Sequence, residues 1–146
     1  MIRQGRVRGS WRLVPYIAPS GRSQVLDFLD SLRLKDFPRF VQVREVLMPE
    51  IENRGPFLIG PPIWEGLGAG FYEIRSARVR LYCSVMDPRL VMMYRGVVKR
   101  WPRFREEDRR ICQRARKDAE SDAYDQEKRE YLYRGICKKR GQAGPS

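Results

Sequence analysis

The chain has no histidine among its 146 residues. That removes the usual general base near neutral pH, together with Ser-His and Cys-His nucleophile pairs. It also leaves any zinc site only thiolates and carboxylates to work with. Cysteine is scarce as well. Cys83, Cys112 and Cys137 are odd in number and far apart, which fits neither a disulfide framework nor a zinc spacing. No apolar run approaches the ~18 residues that span a membrane, and the opening "MIRQGRVRGSW" lacks the apolar core of a secretion signal. The expected location is the cytoplasm, with no metal and no cofactor. Any chemistry must run on Lys, Arg, Tyr, Glu or Asp.

What the chain has in excess is positive charge. Thirty Lys and Arg face eighteen Asp and Glu, a formal net charge of +12. The surplus is even along the chain: ten against six over residues 1–60, seven against three over 61–100, and thirteen against nine over 101–146. A basic body of this kind suits a polyanion, most commonly a nucleic acid; the plainer alternative is a solvated surface. Hydrophobic residues still make up 42%, enough for one domain of this length to bury a core.

Residues 1–10 read as a flexible basic arm with Arg3, Arg6 and Arg8. A domain over residues 11–120 follows, and residues 121–146 form a charged carboxyl-terminal extension, expected to be partly disordered. Within the domain, "WRLVPYIA" reads as a short strand, and Pro15 puts it at an edge or a bulge. Ser23 can cap a helix over "QVLDFLDSLRL". A second helix over "DFPRFVQVREVLMPEIENRG" carries Phe40, Val43, Leu47 and Ile51 at helical spacing, and Pro49 kinks it or splits off its last turn. "PFLIGPP" reads as a loop. Three strands are expected at about 70–75, 78–86 and 89–98, with turns at Ser76–Ala77 and Pro88. A final helix runs from about Phe104 to Ala119, its first turn acidic and its apolar stripe thin.

Two-residue turns would set Arg75 opposite Arg78, Glu73 opposite Arg80, Phe71 opposite Tyr82 and Arg80 opposite Arg95. Side chains alternate across a strand. One sheet face then gathers Glu73, Arg75, Arg78, Arg80, Tyr82, Arg95 and Lys99. The other gathers Tyr72, Ile74, Val79, Leu81, Cys83, Val85, Leu90, Met92, Tyr94 and Val98, where the two early helices would pack. The arginine face is expected to stay open. Clustered like charges repel, and the planar guanidinium fork suits phosphate, so that face reads as an anion site. Tyr82 either stacks a base or only packs. A solvated face of arginines pairing with Glu73 is the competing reading.

Four segments together resemble the RelE/HigB superfamily of toxins, in its HigB-like, phage-derived branch. "GRSQVLDFLDSL" resembles the opening helix and "GLGAGFYEIR" the Gly-aromatic-Tyr-Glu-Leu-Arg strand. "RVRLYCSVMDPRLVMMYRGVVKRW" resembles the arginine-bearing strand, acidic turn, apolar strand and basic closing pair. "FREEDRRICQRARKD" resembles the final helix. The likeness covers roughly residues 11–120. It implies an α+β fold: a small curved antiparallel sheet, two amino-terminal helices packed on one face, and a carboxyl-terminal helix. It also implies a toxin of a type II toxin-antitoxin system that cuts mRNA on the ribosome without a metal, neutralised by a cognate antitoxin, a helix-turn-helix protein. Arg80 would match the arginine that meets the scissile phosphate, Arg75 the basic end of the preceding strand, and Lys99 with Arg100 the closing basic pair. The carboxyl-terminal tyrosine of RelE has no match here, Trp101 and Phe104 being the nearest aromatics. The phosphate clamp therefore carries over better than the proton-transfer groups.

On this reading Arg80, Arg75, Lys99, Arg100 and Glu73 form the catalytic set, while Arg78, Tyr82, Arg95, Trp101 and Arg103 bind RNA. Positioning and electrostatics would do most of the work. Strict alternation turns Arg100 toward the core, so a bulge near Gly96 would be needed to bring it beside Lys99. Glu73 is either a structural partner of Arg80 or a general base, and its place opposite Arg80 favours the former. The alternative from another class is a non-catalytic phage or plasmid protein that binds RNA or another protein.

Overall fold

The computed structural model describes residues 11–86, 89–99 and 104–120. The arm over 1–10, the extension over 121–146, the Pro88 turn and Cys137 lie outside the described residues. Five strands and four helices make an α+β fold around one open sheet. They run β1 (Arg12–Pro15), α1 (Gln24–Lys35), α2 (Phe37–Glu45), a π-helical turn (Val46–Glu52), α3 (Pro56–Ile59), β2 (Trp64–Gly68), β3 (Phe71–Ser76), β4 (Val79–Met86), β5 (Leu90–Val98) and α4 (Glu106–Ala119).

Local chemistry accounts for the helix ends. The Ser23 hydroxyl accepts from the Leu26 backbone N–H at 3.2 Å and opens α1. Asp36 closes α1 and also caps α2, accepting from the Arg39 N–H at 3.3 Å. Pro49 falls inside the π-helical turn. With no N–H to give to the residue four back, and a ring that crowds that carbonyl, it widens the helix. "PFLI" is a single helical turn rather than the expected loop.

The sheet runs in the order β1-β5-β4-β3-β2. It is mixed, not antiparallel: β1 pairs with β5 in parallel, Arg12 beside Leu90 and Pro15 beside Met93. Helices α1 and α2 lie in the connection that carries the chain from β1 to β2 at the opposite edge, and the β2–β5 meander brings it back beside β1. Pro15 is tolerated there because an edge strand can spare an N–H. β2, in a stretch to which the sequence reading assigns no element, pairs with β3 through Trp64–Ile74 and Glu65–Glu73. Its glycines, Gly66 and Gly68, hide the alternation that marks a strand.

Two register corrections decide where side chains go. The β3–β4 turn falls at Ala77–Arg78, one residue beyond the expected turn, because Ser76 pairs with Val79. Arg75 therefore lies opposite Arg80, Glu73 opposite Tyr82 and Phe71 opposite Ser84. The change is even, so faces are preserved. Between β4 and β5, Arg80 pairs with Val97 and Tyr82 with Arg95, and then the register shifts so that Cys83 meets Met93. That bulge at Tyr94 moves Leu90, Met92 and Tyr94 off the α1/α2 face to which strict alternation had assigned them.

Each face of the sheet consequently has its own core. Ile74, Val79, Leu81, Cys83, Val91 and Met93 pack with Val25, Leu29, Phe40, Val43, Leu47 and Ile51 beneath α1, α2 and the π-helical turn. Phe71, Tyr82, Leu90, Met92 and Tyr94 pack with Cys112, Ala115 and Ala119 of α4. Small residues let α4 sit close, and polar ties hold it. Arg95 Nε donates to Asp108 Oδ1 at 2.7 Å, Arg109 and Arg116 donate to the Leu67 and Ala69 carbonyls, and the Tyr16 hydroxyl reaches Asp118 at 2.7 Å. The arginine-bearing face is thus half covered, contrary to the expectation of an open one. The "thin" stripe suffices because aromatic side chains from the sheet supply the bulk. No helix among the described residues is long and apolar enough to cross a membrane.

A candidate phosphate site at the β3–β4 hairpin

The uncovered part of that face lies at the hairpin end of β3 and β4. Alternation along the two strands sends Glu73, Arg75 and Arg80 to the same side, and register sets Arg75 directly across from Arg80. Glu73 is sealed beneath them, its side chain 2% exposed against 34% for Arg75 and 15% for Arg80. Arg75 Nε donates to Glu73 Oε2 at 2.7 Å. Arg80 Nε stands 4.0 Å from that same oxygen, so the expected Glu73–Arg80 pair is replaced by a Glu73–Arg75 bond with Arg80 alongside. Glu65 of β2 adds a second carboxylate, 3.8 Å from Arg75 Nη1.

Arg80 folds back over the turn. Its Nη1 donates to the Ala77 carbonyl at 2.7 Å and to the Val79 carbonyl at 2.9 Å. Glu73 Oε1 and Arg80 Nε are buried without a hydrogen-bond partner among the described residues. Burial lowers the Arg80 guanidinium from its ordinary value, Arg75 adds to that, and the Glu73 carboxylate opposes it. An arginine keeps its charge in a protein even so. Two guanidinium groups directly opposite each other repel, and one buried carboxylate offsets only part of this. The Nη2 groups of both arginines are tied to no described residue by a hydrogen bond.

The remaining residues of the expected set divide into three groups. Arg78 is exposed in the turn, and its carbonyl accepts from the Lys99 N–H at 2.7 Å, which holds the end of β5 level with the hairpin. Lys99 lies one residue past β5, and continued alternation from Arg95 and Val97 would send it to the Arg80 side of the sheet. Arg95 and Tyr82 are diverted to α4. Arg95 is bound by Asp108, and Tyr82, 2% exposed, lies under Phe104 with ring centroids 4.6 Å apart. Burial, then the Asp108 and Glu73 charges, push the Tyr82 phenol up to about 12. It packs and does not offer a stacking surface. Arg100, Trp101 and Arg103 lie outside the described residues. The bulge sits at Tyr94, two residues before Gly96.

A cleft of about 690 Å³ adjoins the arginine pair. Val41, Gln42, Glu45 and Val46 of α2 and its continuation form one wall, Pro62 and Ile63 a second, and Arg75 to Ala77 with Arg80 a third. Sequence reasoning missed Glu65, because β2 was not recognised, and the α2 wall, because Gln42 and Glu45 are the polar face of an amphipathic helix and carry no other signal. Among the described residues no three or more metal-ligating side chains gather. Cys83 and Cys112 are free thiols, both buried, and burial raises both above their ordinary values, Cys112 to about 12. Neither is poised as a nucleophile. No protein-family model matches the chain, and no curated protein matches it in sequence.

Proposed function

We propose that the hairpin end of the sheet binds a phosphodiester of single-stranded RNA and promotes its cleavage, and that the chain is a ribosome-associated mRNA endoribonuclease toxin of the RelE/HigB kind, held in check by an antitoxin. One observation carries the reading: Arg75 and Arg80 face each other across β3 and β4 at the mouth of a cleft, with a single sealed carboxylate between them. The order of elements, with a strand, two helices, a strand meander and a closing helix, supports a RelE-like arrangement.

In this mechanism the 2′-oxygen attacks phosphorus, a cyclic phosphodiester forms and the bond to the 5′-oxygen breaks. The 2′-hydroxyl proton passes to water, and Lys99 supplies a proton to the departing oxygen. Arg75 and Arg80 stabilise the charge that builds on the phosphorane, the largest share of such catalysis. Glu73 positions Arg75 rather than acting as a base, because it has no access to substrate.

A second reading is a binder that does not cut. It is favoured by the burial of Glu73, the candidate base, and of Tyr82, the candidate stacking residue, which takes both from the surface. Primer extension on mRNA in a translating extract separates the two. Position-specific cuts that disappear with Arg80→Ala are expected. Intact mRNA with RNA binding retained would establish the binder instead.

A further inference from the structure

We infer that the acidic stretch at the end of α4 and beyond it docks on Arg75 and Arg80 of its own chain and competes there with RNA. The inference rests on the phosphate reading and adds an internal occupant to it. From Asp118 to Glu127 the sequence "DAESDAYDQE" holds Asp118, Glu120, Asp122, Asp125 and Glu127 and no cation, in a chain with thirty Lys and Arg. Like charge at this density repels itself and is met by counter-charge. At the hairpin, Arg75 and Arg80 stand opposite each other, a like-charge pair that an added carboxylate relieves. A carboxylate accepts from the guanidinium fork as a phosphate does. The Nη2 groups of both arginines are bonded to no described residue, and exposed Arg78 in the turn adds a third cation.

Position and reach agree with the charge. The Tyr16 hydroxyl donates to Asp118 at 2.7 Å. That bond fixes the start of the stretch beside β1, on the α4 side of the sheet that also bears the arginines. In the strand order β1-β5-β4-β3 the pair lies about 10–14 Å across the sheet from there, and about 13 Å along it from Met93 to Val97. Seven extended residues from Asp118 reach about 23 Å. Asp125 and Glu127 therefore come within range of both guanidinium groups, with Asp122 close behind. Glu45 on the α2 wall of the cleft repels acid from its interior and leaves the arginines as the landing place. A tether this short gives an effective concentration of about a millimolar. A contact with an intrinsic Kd of only ~0.1 mM then weakens RNA binding about tenfold at low salt.

The test is fluorescence anisotropy at low salt with the full chain and a labelled single-stranded RNA whose 2′-oxygens are methylated, which blocks cleavage. Asp122→Asn/Asp125→Asn/Glu127→Gln is expected to bind about tenfold tighter than the natural chain. In an Arg75→Ala/Arg80→Ala background the same three changes are expected to bring no such gain. A gain undiminished in that background would be a general effect of net charge and would overturn the docking. No gain from the three changes, with binding still lost when the arginines are removed, would also overturn it and leave the phosphate site standing. Binding indifferent to the arginine pair would remove the phosphate site and its occupant together. If the double variant does not fold, Arg75→Gln alone serves as the background. The gain should then shrink, and an unchanged gain would overturn the docking.

Discussion

At the scale of single residues, the arrangement turns on Glu73. Its carboxylate is buried and bonded to Arg75, with Arg80 at 4.0 Å. Removing one member of such a cluster leaves the others desolvated and uncompensated, which costs more than the pair contributes. Glu73→Ala is expected to destabilise the protein by about 2–3 kcal/mol in urea unfolding, below the range for fully buried pairs because Arg75 is part-exposed. Glu73→Gln keeps an acceptor for Arg75 Nε and should cost about half as much. On the proposed mechanism Glu73 positions Arg75 and exchanges no proton with substrate, so Glu73→Gln should retain measurable cleavage. An abolition comparable to that of Arg80→Ala, with the fold intact, would make Glu73 catalytic after all.

Among the elements, α1 and β5 meet at close range. A Cβ built at Gly96 would stand 2.6 Å from Phe28 Cδ2 and 2.9 Å from Leu81 Cδ2, while the Gln24 side chain clasps the Gly96 backbone at both N–H and carbonyl. Gly96→Ala is therefore expected to overpack this contact and cost about 1–3 kcal/mol in thermal or urea unfolding; an unchanged midpoint would mean that α1 yields easily. These elements were legible from sequence to differing degrees. Ser23 and the apolar spacing announced α1, and the β-branched and aromatic runs announced β3, β4 and β5. The arginine face was legible because an even change in the β3–β4 register leaves parity intact. The bulge at Tyr94 was not, since nothing in "VMMYRG" tells a bulged strand from a regular one. Neither was the covering of half that face by α4, because its buried stripe of Cys112, Ala115 and Ala119 looks meagre until Phe71, Tyr82 and Tyr94 are seen to fill the interface.

For the molecule as a whole, the absence of histidine leaves no side chain of ordinary value near neutrality, and the resolved shifts on neutral acids all lie on the alkaline side. Cys112 rises from 9.0 and Tyr82 from 10.0, each to about 12, and Tyr94 and Cys83 rise as well, with burial the leading cause in every case. A raised value in the fold means that the unfolded chain loses its proton first. The stability these groups carry is thus complete below about pH 9 and drains as pH climbs toward 12. Urea midpoints should show little pH dependence from these groups below about pH 9 and a steady fall above it, and Tyr82→Phe should make the fall shallower. The net charge of +12 gives any RNA complex a salt dependence, but a surface spread evenly with cations and a focused clamp differ in which residues carry it.

The most direct measurement is the slope of log affinity against log salt concentration for a single-stranded RNA, compared between the natural chain and the Arg75→Ala/Arg80→Ala double variant. Each lost phosphate contact removes about 0.7 from the magnitude of that slope, so the double variant should be shallower by about 1.4 and bind more weakly at low salt. Equal slopes in a variant that remains folded would place the phosphate contacts elsewhere and contradict the site.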